Sequence, residues 1–322
     1  MGSQNKFDLI VSYSQIHTWR LCSQKYDYKY NQRLEPKIKA YQLQQGDVIH
    51  QCLEAYSKDL SWKKVLRGIL EKNEILALVD GDEELRKIVQ DSKMIIRNYI
   101  RNWKDEKWEY IFVEHEFDPI YLCEVSGQKI GLVIKIDGLI KDSDGRLWLL
   151  ERKSNKKFKD PDSRIRDLQT SLYCWGLWKL GYDVEGVMWD EVRTKLPVIP
   201  SVLKNGLISK RKNIDTDFET FVTALEENEQ DEDGYEDILE RVKFNTFFRR
   251  HPFPADKEFV SNIVDQFKVT VKRMVRFKDK PVAEVSFICG NCDYYHLCMA
   301  DLKGLDTDFM KKASFKSRER RR

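Results

Sequence analysis

The sequence has 322 residues, 41% hydrophobic and 34% charged, with 56 Lys and Arg against 53 Asp and Glu. This length and apolar content predict one large or two ordinary domains with a buried core, and the net charge of +3 does not by itself indicate a nucleic-acid partner. No segment has the length of a membrane helix and no secretory segment opens the chain, so we expect a soluble, cytoplasmic protein.

Helical patterns dominate the first hundred residues. Ser12 and Gln15 have the spacing of a capping box, and apolar side chains at helical intervals follow them. Residues 46–56 carry an apolar helical face, and residues 61–108 are charged and periodic in the same way. We therefore predict that this part of the chain is mostly helical.

Strand patterns replace the helical pattern near residue 110. Residues 110–117, 129–140 and 146–152 are rich in β-branched and aromatic side chains, and a turn at 142–145 precedes the last of them. Short links join the three strands, so the pattern predicts an antiparallel meander.

An amphipathic helix at 167–180 and a strand at 186–193 follow the meander. We expect a loop at 194–215 and helices from there to Val285. The fold class is therefore α/β, a mixed sheet flanked by helices, with helical insertions. The predicted divisions of the chain are 1–56, 57–110, 111–200, 201–284 and 285–322.

The charge is unevenly distributed. Residues 152–166 and the tail 311–322 are basic, whereas residues 225–240 are acidic. A run of like charges is compatible both with a solvated face and with contact to a polyanion, and the pattern leaves both open.

Two carboxylates and a lysine form a candidate catalytic group. Asp137 lies within one predicted strand, and Glu151 and Lys153 end the next one on a common face, because side chains alternate along a strand. Carboxylates from adjacent strands can hold Mg²⁺ or Mn²⁺ for phosphodiester hydrolysis, and a nearby lysine can stabilise the transition-state charge. Glu-x-Lys alone is a weak motif, since surface strands often carry it by chance.

The surrounding pattern resembles the PD-(D/E)xK nuclease superfamily, and within it the RecB-like branch. The resemblance is carried by Asp-Gly, Glu-Arg-Lys after twelve residues, a Gln169-x3-Tyr173 helix, and a Gly46-x3-His50 helix upstream. It implies that His50, Asp137, Glu151 and the backbone carbonyl of Arg152 hold the metal. It also implies that Lys153 is the catalytic lysine and that Gln169 and Tyr173 contact the DNA.

Two charged residues near the group fall outside this pattern. Lys135 lies two residues before Asp137, on the same face of the strand, where it would either bind phosphate or weaken metal binding. Glu116 is a possible supporting acid, and we do not place it among the ligands.

Three cysteines crowd the C-terminal segment. Cys289, Cys292 and Cys298 need a fourth ligand for a tetrahedral site, and Cys22 is the best candidate. The arrangement is similar to cluster-bearing RecB-like nucleases, such as the AddB nuclease domain and CRISPR-associated RecB-like exonucleases. It implies a [4Fe–4S] cluster that cross-links the two ends of the chain, and Zn²⁺ is the alternative. Three further cysteines have apolar neighbours and are predicted to be buried: Cys52, Cys123 and Cys174.

Several features are candidates for contact with DNA. Lys156, Lys157 and Lys159 follow the catalytic lysine and suit phosphates. The basic loop 195–212 is similar to one in phage-encoded RecB-like exonucleases, which favours a bacterial or phage-infected host cytoplasm. Aromatic side chains near the two ends either stack on bases or, more simply, pack around the cluster: Tyr13, Trp19, Tyr26, Tyr28, Tyr30, Tyr294 and Tyr295.

Together these features lead to an expected function. The resemblance implies a metal-dependent DNA exonuclease that processes single-stranded or unwound ends in recombination, repair or phage DNA metabolism. The alternative is an iron–sulfur DNA-binding or adaptor protein whose nuclease site is silent.

Overall fold

The protein is described by a computed structural model that covers residues 6–37, 41–77, 83–160, 162–165 and 167–318. Residues 161, 166 and 319–322, which belong to the two predicted basic runs, lie outside these ranges. The strands of the described chain are β1 Leu9–Ser12, β2 Leu34–Pro36, β3 Glu109–Glu116, β4 Ile120–Val125, β5 Gln128–Val133, β6 Lys135–Lys141, β7 Leu147–Asn155, β8 Val184–Arg193, β9 Phe248–Pro254 and β10 Phe315–Ser317.

Helices surround these strands. The α-helices of the described chain are α1 Tyr13–Leu21, α2 Ser23–Tyr26, α3 Tyr41–Ser57, α4 Trp62–Ala77, α5 Glu83–Asn102, α6 Asp162–Ile165, α7 Leu168–Lys179, α8 Phe218–Glu226, α9 Glu236–Val242, α10 Lys257–Arg276, α11 Tyr295–Leu302 and α12 Asp308–Ser314. A π-helical turn spans Asp27–Asn31, and a 3₁₀ turn spans Phe287–Asn291. None of the helices in the described ranges combines the length and apolar composition that a bilayer crossing requires.

A five-stranded mixed sheet forms the centre, in the order β3-β6-β7-β8-β9. Its β7–β8 pair is parallel and its other pairs are antiparallel. A smaller sheet has the order β1-β5-β4, and β10 pairs with β2 near the two ends of the described chain. The expected α/β class with a mixed central sheet is confirmed.

The central sheet is covered on both faces. On one face, α7 and α10 bury apolar side chains against the sheet in a cluster that includes Leu172, Leu177, Val264, Leu149 and Trp189. On the other face, α3 and α5 pack in a separate cluster with Val192 of β8. Because side chains alternate along a strand, β8 contributes to both clusters.

Close backbone approach fixes where α3 sits. A Cβ at Gly46 would lie 3.0 Å from Ser154 Oγ of β7, so a glycine allows the helix to lie against the end of that strand. His50 follows four residues later on the same helix face. The Gly46-x3-His50 spacing thus has a packing reason as well as a chemical one.

Several predicted elements are confirmed. Ser12 caps α1 in a capping box with Gln15, and the helices predicted in the first hundred residues are present as α1 to α5. Cys52, Cys123 and Cys174 are all buried, as small apolar side chains would be.

Three predictions about strands were wrong. The pattern at 129–140 is two strands, β5 and β6, which belong to different sheets. The antiparallel meander is interrupted, since the β4–β5 hairpin lies between β3 and β6 along the chain. The stretch from 215 to Val285 was expected to be helical, yet it contains β9, the fifth strand of the central sheet. The charged sequence of β9 has no alternating apolar pattern, because its arginines bind buried acids of β8.

Candidate metal centre

The end of the β6–β7 ladder brings the two predicted carboxylates close together. Gly138 and Leu150 are paired in this ladder, Asp137 precedes Gly138, and Glu151 follows Leu150. Beyond this pair the backbone N–H of Arg152 donates a 2.8 Å hydrogen bond to Asp137 Oδ2. The sheet therefore fixes Asp137 against the strand that carries Glu151 and Lys153.

Three side chains form a compact group that could hold a metal ion. Possible ligand atoms of His50, Glu114 and Asp137 all lie within 4.8 Å of one another, and all three residues are half-buried. One nitrogen and two carboxylates suit a hard or borderline divalent ion. The structure brings two predicted ligands, His50 and Asp137, together with an acid that sequence reasoning missed.

Glu114 enters the site through the backbone of β3. It lies between Val113 and His115, which pair with Gly138 and Ile136, so it stands opposite Asp137. Its φ of 48° is in the left-handed region, which non-glycine residues seldom adopt. From the sequence, the acid considered was Glu116, two positions later. Side chains alternate along a strand, so both acids are expected on one face. The backbone position of Glu114 is what brings it opposite Asp137.

Lys135 contacts this group directly. Its Nζ lies 2.8 Å from Glu114 Oε2, and its side chain is 46% exposed. A lysine ammonium beside a possible metal ligand competes electrostatically with a cation. Of the two roles considered for Lys135, this contact favours weakened metal binding.

Glu151 and Lys153, the predicted catalytic pair, form an ion pair in which the carboxylate is buried and the ammonium is partly exposed. Lys153 Nζ lies 2.5 Å from Glu151 Oε1, while Glu151 is only 2% exposed. The second carboxylate oxygen, Oε2, is buried and has no hydrogen-bond partner in the described structure. A buried acceptor without a partner is costly, and a bound cation would satisfy it. The donor set therefore fits a divalent ion.

The charge environment of this pair is unusual. Burial and, after it, the neighbouring Asp137 carboxylate raise the pKa of Glu151 from 4.5 to about 8, against the opposing effect of Lys153. Burial lowers the pKa of Lys153, but Glu151 more than offsets this and raises it overall. A cation near Glu151 would favour the ionised carboxylate by the same electrostatics.

Gln169 and Tyr173 lie on α7, beside the same pair. The side chain of Gln169 lies close to the Tyr173 hydroxyl, and burial and then Glu151 raise the pKa of Tyr173. Asp167 caps this helix by accepting from the backbone N–H of Gln169, and its charge acts on both members of the catalytic pair. Asp167 was missed because its sequence context marks only a helix start.

Behind the catalytic pair lies a buried ion network. Its members are Arg152, Asp190, Arg250, Tyr99 and Glu106. Asp190 is fully buried; it accepts from Arg152 Nε at 3.4 Å and from Arg250 Nε at 3.1 Å, and the Tyr99 hydroxyl donates to it at 2.5 Å. Arg250 also pairs with Glu106. The network joins β7, β8, β9 and α5.

The four predicted cluster cysteines lie near one another in the fold. Cys22 is brought to the three C-terminal cysteines from the other end of the chain. Burial raises the pKa of Cys298, and the thiols of Cys22, Cys292 and Cys289 raise it further through charge repulsion. Backbone N–H groups donate to two of the sulfurs, Lys25 to Cys22 at 3.4 Å and Ser286 to Cys289 at 3.5 Å. Around them Tyr28 and Tyr294 are buried and stacked, so these two rings pack beside the cysteines.

The family model of the PD-(D/E)XK nuclease superfamily matches residues 10–299. This chain belongs to that superfamily. Membership in the PD-(D/E)XK superfamily indicates a metal-dependent nuclease with DNA as its substrate, in agreement with the His50, Glu114 and Asp137 group. Among curated proteins, none matches the sequence. The solved structure of SSO0001 is similar over 92% of this chain and 89% of its own, at 11% identity and a TM-score of 0.38.

Proposed function

We propose that this PD-(D/E)XK protein is a DNA exonuclease that processes single-stranded or unwound ends in recombination, repair or phage DNA metabolism. One observation carries the proposal. Glu151 keeps a buried carboxylate oxygen without a partner beside Lys153, and the His50, Glu114 and Asp137 group lies next to it through Asp137.

The metal ligands would be His50, Asp137, Glu151 and the backbone carbonyl of Arg152, with Glu114 as an additional acid. Mg²⁺ or Mn²⁺ is the expected ion, in one or two positions. When bound, such ions polarise the phosphate and lower the pKa of an attacking water. The backbone N–H of Arg152 keeps Asp137 in place through its 2.8 Å hydrogen bond.

The remaining side chains would act on the DNA. Lys153 carries a positive charge 2.5 Å from Glu151, where it can orient the nucleophile or stabilise the extra charge of the transition state. Gln169 and Tyr173 project from α7 towards the same place and would contact the strand near the scissile phosphate. Lys156, Lys157 and Lys159 would bind phosphates farther along.

DNA labelled at the 5′ or the 3′ end tests this function. Wild-type protein with Mg²⁺ or Mn²⁺ should release labelled mononucleotides or short products from one end, in single-stranded DNA or at unwound ends. Lys153→Ala should lose roughly a hundredfold or more of this activity, as is typical for a group that stabilises transition-state charge. Equal degradation by the two proteins would contradict the assignment, and internal cuts in circular DNA would contradict exonuclease action.

We further propose that Cys22, Cys289, Cys292 and Cys298 hold a [4Fe–4S] cluster. The proposal is supported by the proximity of four thiols, since Cys22, Cys289 and Cys292 all act on the pKa of Cys298. Closing a loop between Cys22 and Cys289 would stabilise the fold by restricting the unfolded chain.

Colour and metal content decide between the two cofactors. Protein purified without oxygen should be brown, with broad visible absorbance and about four iron atoms per chain. Colourless protein with stoichiometric zinc would contradict the iron–sulfur proposal. Cys22→Ser should lose the absorbance and destabilise both ends of the chain.

One contact favours a second candidate function, a DNA-binding or adaptor protein with a silent nuclease site. Lys135 already neutralises Glu114 at 2.8 Å, which would weaken a metal site that depends on that acid. DNA binding without metal-dependent cleavage, unchanged by Lys153→Ala, would support this candidate.

A further inference from the structure

A cavity opens beside the catalytic pair, on the same face of the central sheet. Its volume is about 240 Å³, and its walls come from α7, β8, the end of β9 and the start of α10, with Arg164 of α6. The cavity is smaller than the roughly 300–1,000 Å³ of sites for drug-sized molecules. It suits a single planar group better than a whole nucleotide.

Trp189 connects the cavity to the catalytic pair. It lines the cavity and is the direct partner of Glu151 in the parallel β7–β8 ladder. Lys153 Nζ lies 5.7 Å from the centre of its ring, and the Arg164 guanidinium lies 4.7 Å from it. A group in the cavity would therefore be separated from Lys153 by one side chain, that of Trp189.

Arg164 supplies an unused hydrogen-bond donor in this wall. Its side chain is 4% exposed and pairs through Nη2 with Glu191, which also binds Arg249. Its Nε is buried and has no partner in the described structure. An unpartnered buried donor is costly, so a ligand with an acceptor atom would be stabilised here.

The other walls are mostly apolar or weakly polar, but they include the carboxylate of Asp256, which caps α10. Ser171 and Cys174 of α7 are buried in the floor, and Phe259 of α10 stands in the wall with 42% of its surface exposed. An aromatic ring in an accessible position is suited to stacking on a flat partner.

We propose that this cavity receives the base of the nucleotide next to the scissile phosphate. Arg164 Nε donates to an acceptor on the base, which all four bases offer, and Phe259 covers one side of the ring. The inference rests on the proposed nuclease function, because it places the strand relative to Lys153. The cavity would contact a base, whereas Gln169 and Tyr173 are proposed to contact the strand near its phosphate.

End-labelled strands with and without a base at the terminal nucleotide test the cavity, with both ends examined in separate substrates. Wild type should cleave the normal strand roughly tenfold faster in kcat/KM than the abasic one, as is typical for loss of one stacked base. Ser171→Leu fills the cavity and should lower cleavage of the normal strand to the abasic level, with abasic cleavage unchanged. Phe259→Ala, at an exposed position, should reduce the preference without risk to the core.

Thr223→Leu is the matched control. Thr223 lines a separate cavity between α5 and α8, so the same enlargement there should keep the wild-type preference. Equal cleavage of normal and abasic strands by wild type would overturn the inference and leave the nuclease function intact. So would an unchanged preference in folded Ser171→Leu.

A failure of the nuclease proposal is separable from a failure of the cavity. If wild type cleaves no DNA, equilibrium dialysis with labelled deoxyadenosine monophosphate in EDTA still tests the cavity. Binding by wild type and by Thr223→Leu, with roughly tenfold weaker binding by Ser171→Leu, would support a base site. No binding by wild type, or equal binding by Ser171→Leu, would overturn it.

Discussion

Neighbouring residues of β7 belong to two charged regions on opposite faces of the central sheet, and the two regions differ in how their charges are paired. Glu151 and Lys153, the predicted catalytic pair, leave one buried carboxylate oxygen without a partner in the described structure. Arg152 between them points to the other face and enters the buried ion network, where Asp190 binds two arginines and a tyrosine.

The difference suggests separate roles, in which the ion network holds β7 in place and the catalytic pair binds a ligand. A buried charge that lacks partners lowers stability, whereas a paired and hydrogen-bonded one can be maintained. The network fixes the strand from behind through paired charges, although Arg152 Nη1 is also buried without a partner in the described structure. The catalytic pair keeps its unfilled bonding capacity on a carboxylate, which a cation can bind. Substitutions in the two regions should therefore change stability in opposite directions.

The largest stability effect is expected in the network. Asp190→Ala leaves Arg152 and Arg250 buried without their shared acid, which should cost roughly 3–5 kcal/mol of the free energy of unfolding. Urea denaturation measures this loss. Asp183→Ala is the control, because Asp183 forms an exposed pair with Lys257 and should cost less than about 1 kcal/mol. If Asp190→Ala and Asp183→Ala lost similar free energies of unfolding, the ion network would not anchor the strand as described.

Glu151→Gln should have the opposite sign in metal-free protein. With its pKa raised to about 8 by burial and Asp137, folded wild type holds a proton that the unfolded chain releases above pH 4.5. Wild-type stability therefore falls as pH rises from 4.5 to 8. Gln avoids this loss, so in EDTA the variant should be more stable at pH 8 by roughly 1–3 kcal/mol.

Added metal should reverse that ranking. Mg²⁺ or Mn²⁺ should raise the melting temperature of wild type, because a ligand that binds only the folded state stabilises it. The same ions should leave Glu151→Gln nearly unchanged. A variant that is less stable than wild type in EDTA at pH 8 would show that Glu151 is fully compensated by Lys153.

Asp215 offers a partly exposed comparison with the buried network. It accepts from Arg193 Nη2 at 2.7 Å and Lys195 Nζ at 2.9 Å, and the Arg193 hydrogen bond is the main reason that its pKa is lowered. The stabilisation that comes with this lowered pKa is fully present above the unfolded value of 3.8. It is lost as pH falls from that value through the folded pKa. Asp215→Asn should cost about 1–2 kcal/mol at pH 7 and clearly less at pH 3. A cost independent of pH would show that its charge is unimportant.

Lys135→Met is expected to have the smallest effect. Removal of the ammonium that contacts Glu114 should strengthen Mn²⁺ binding by roughly two- to fivefold, in line with a partly exposed pair. Isothermal titration of wild type and variant measures the change. Lys141→Met is the control, because Lys141 pairs with Glu109 at the far end of β6. Weaker Mn²⁺ binding by Lys135→Met would show that the lysine supports the site.

Local patterns were sufficient for part of the fold and of the candidate site. The Ser12–Gln15 capping box depends on residues three apart, and Glu151 and Lys153 share a face because strands alternate. The helix with Gln169 and Tyr173 follows from its own periodicity. In each case the deciding interactions are close in sequence.

Non-local interactions account for what sequence reasoning missed. Strand β9 is stabilised by pairing with β8 and by ion pairs such as Arg249–Glu191, so its own sequence lacks an apolar alternation. Glu114 becomes a ligand candidate through its backbone position opposite Asp137. Arg152 looked like a spacer between two functional residues, and only the folded structure provides Asp190 as its partner.

Cleavage of end-labelled DNA by wild type and Asp137→Asn, in single turnover with Mg²⁺ and with EDTA, tests the central claim most directly. Asp137 joins the compact group to the strand of the catalytic pair. We predict cleavage by wild type only with Mg²⁺, a loss of roughly a thousandfold in the variant, and little change in DNA binding. Equal rates in the two proteins, or wild-type cleavage that persists in EDTA, would contradict a metal-dependent nuclease centre at this place.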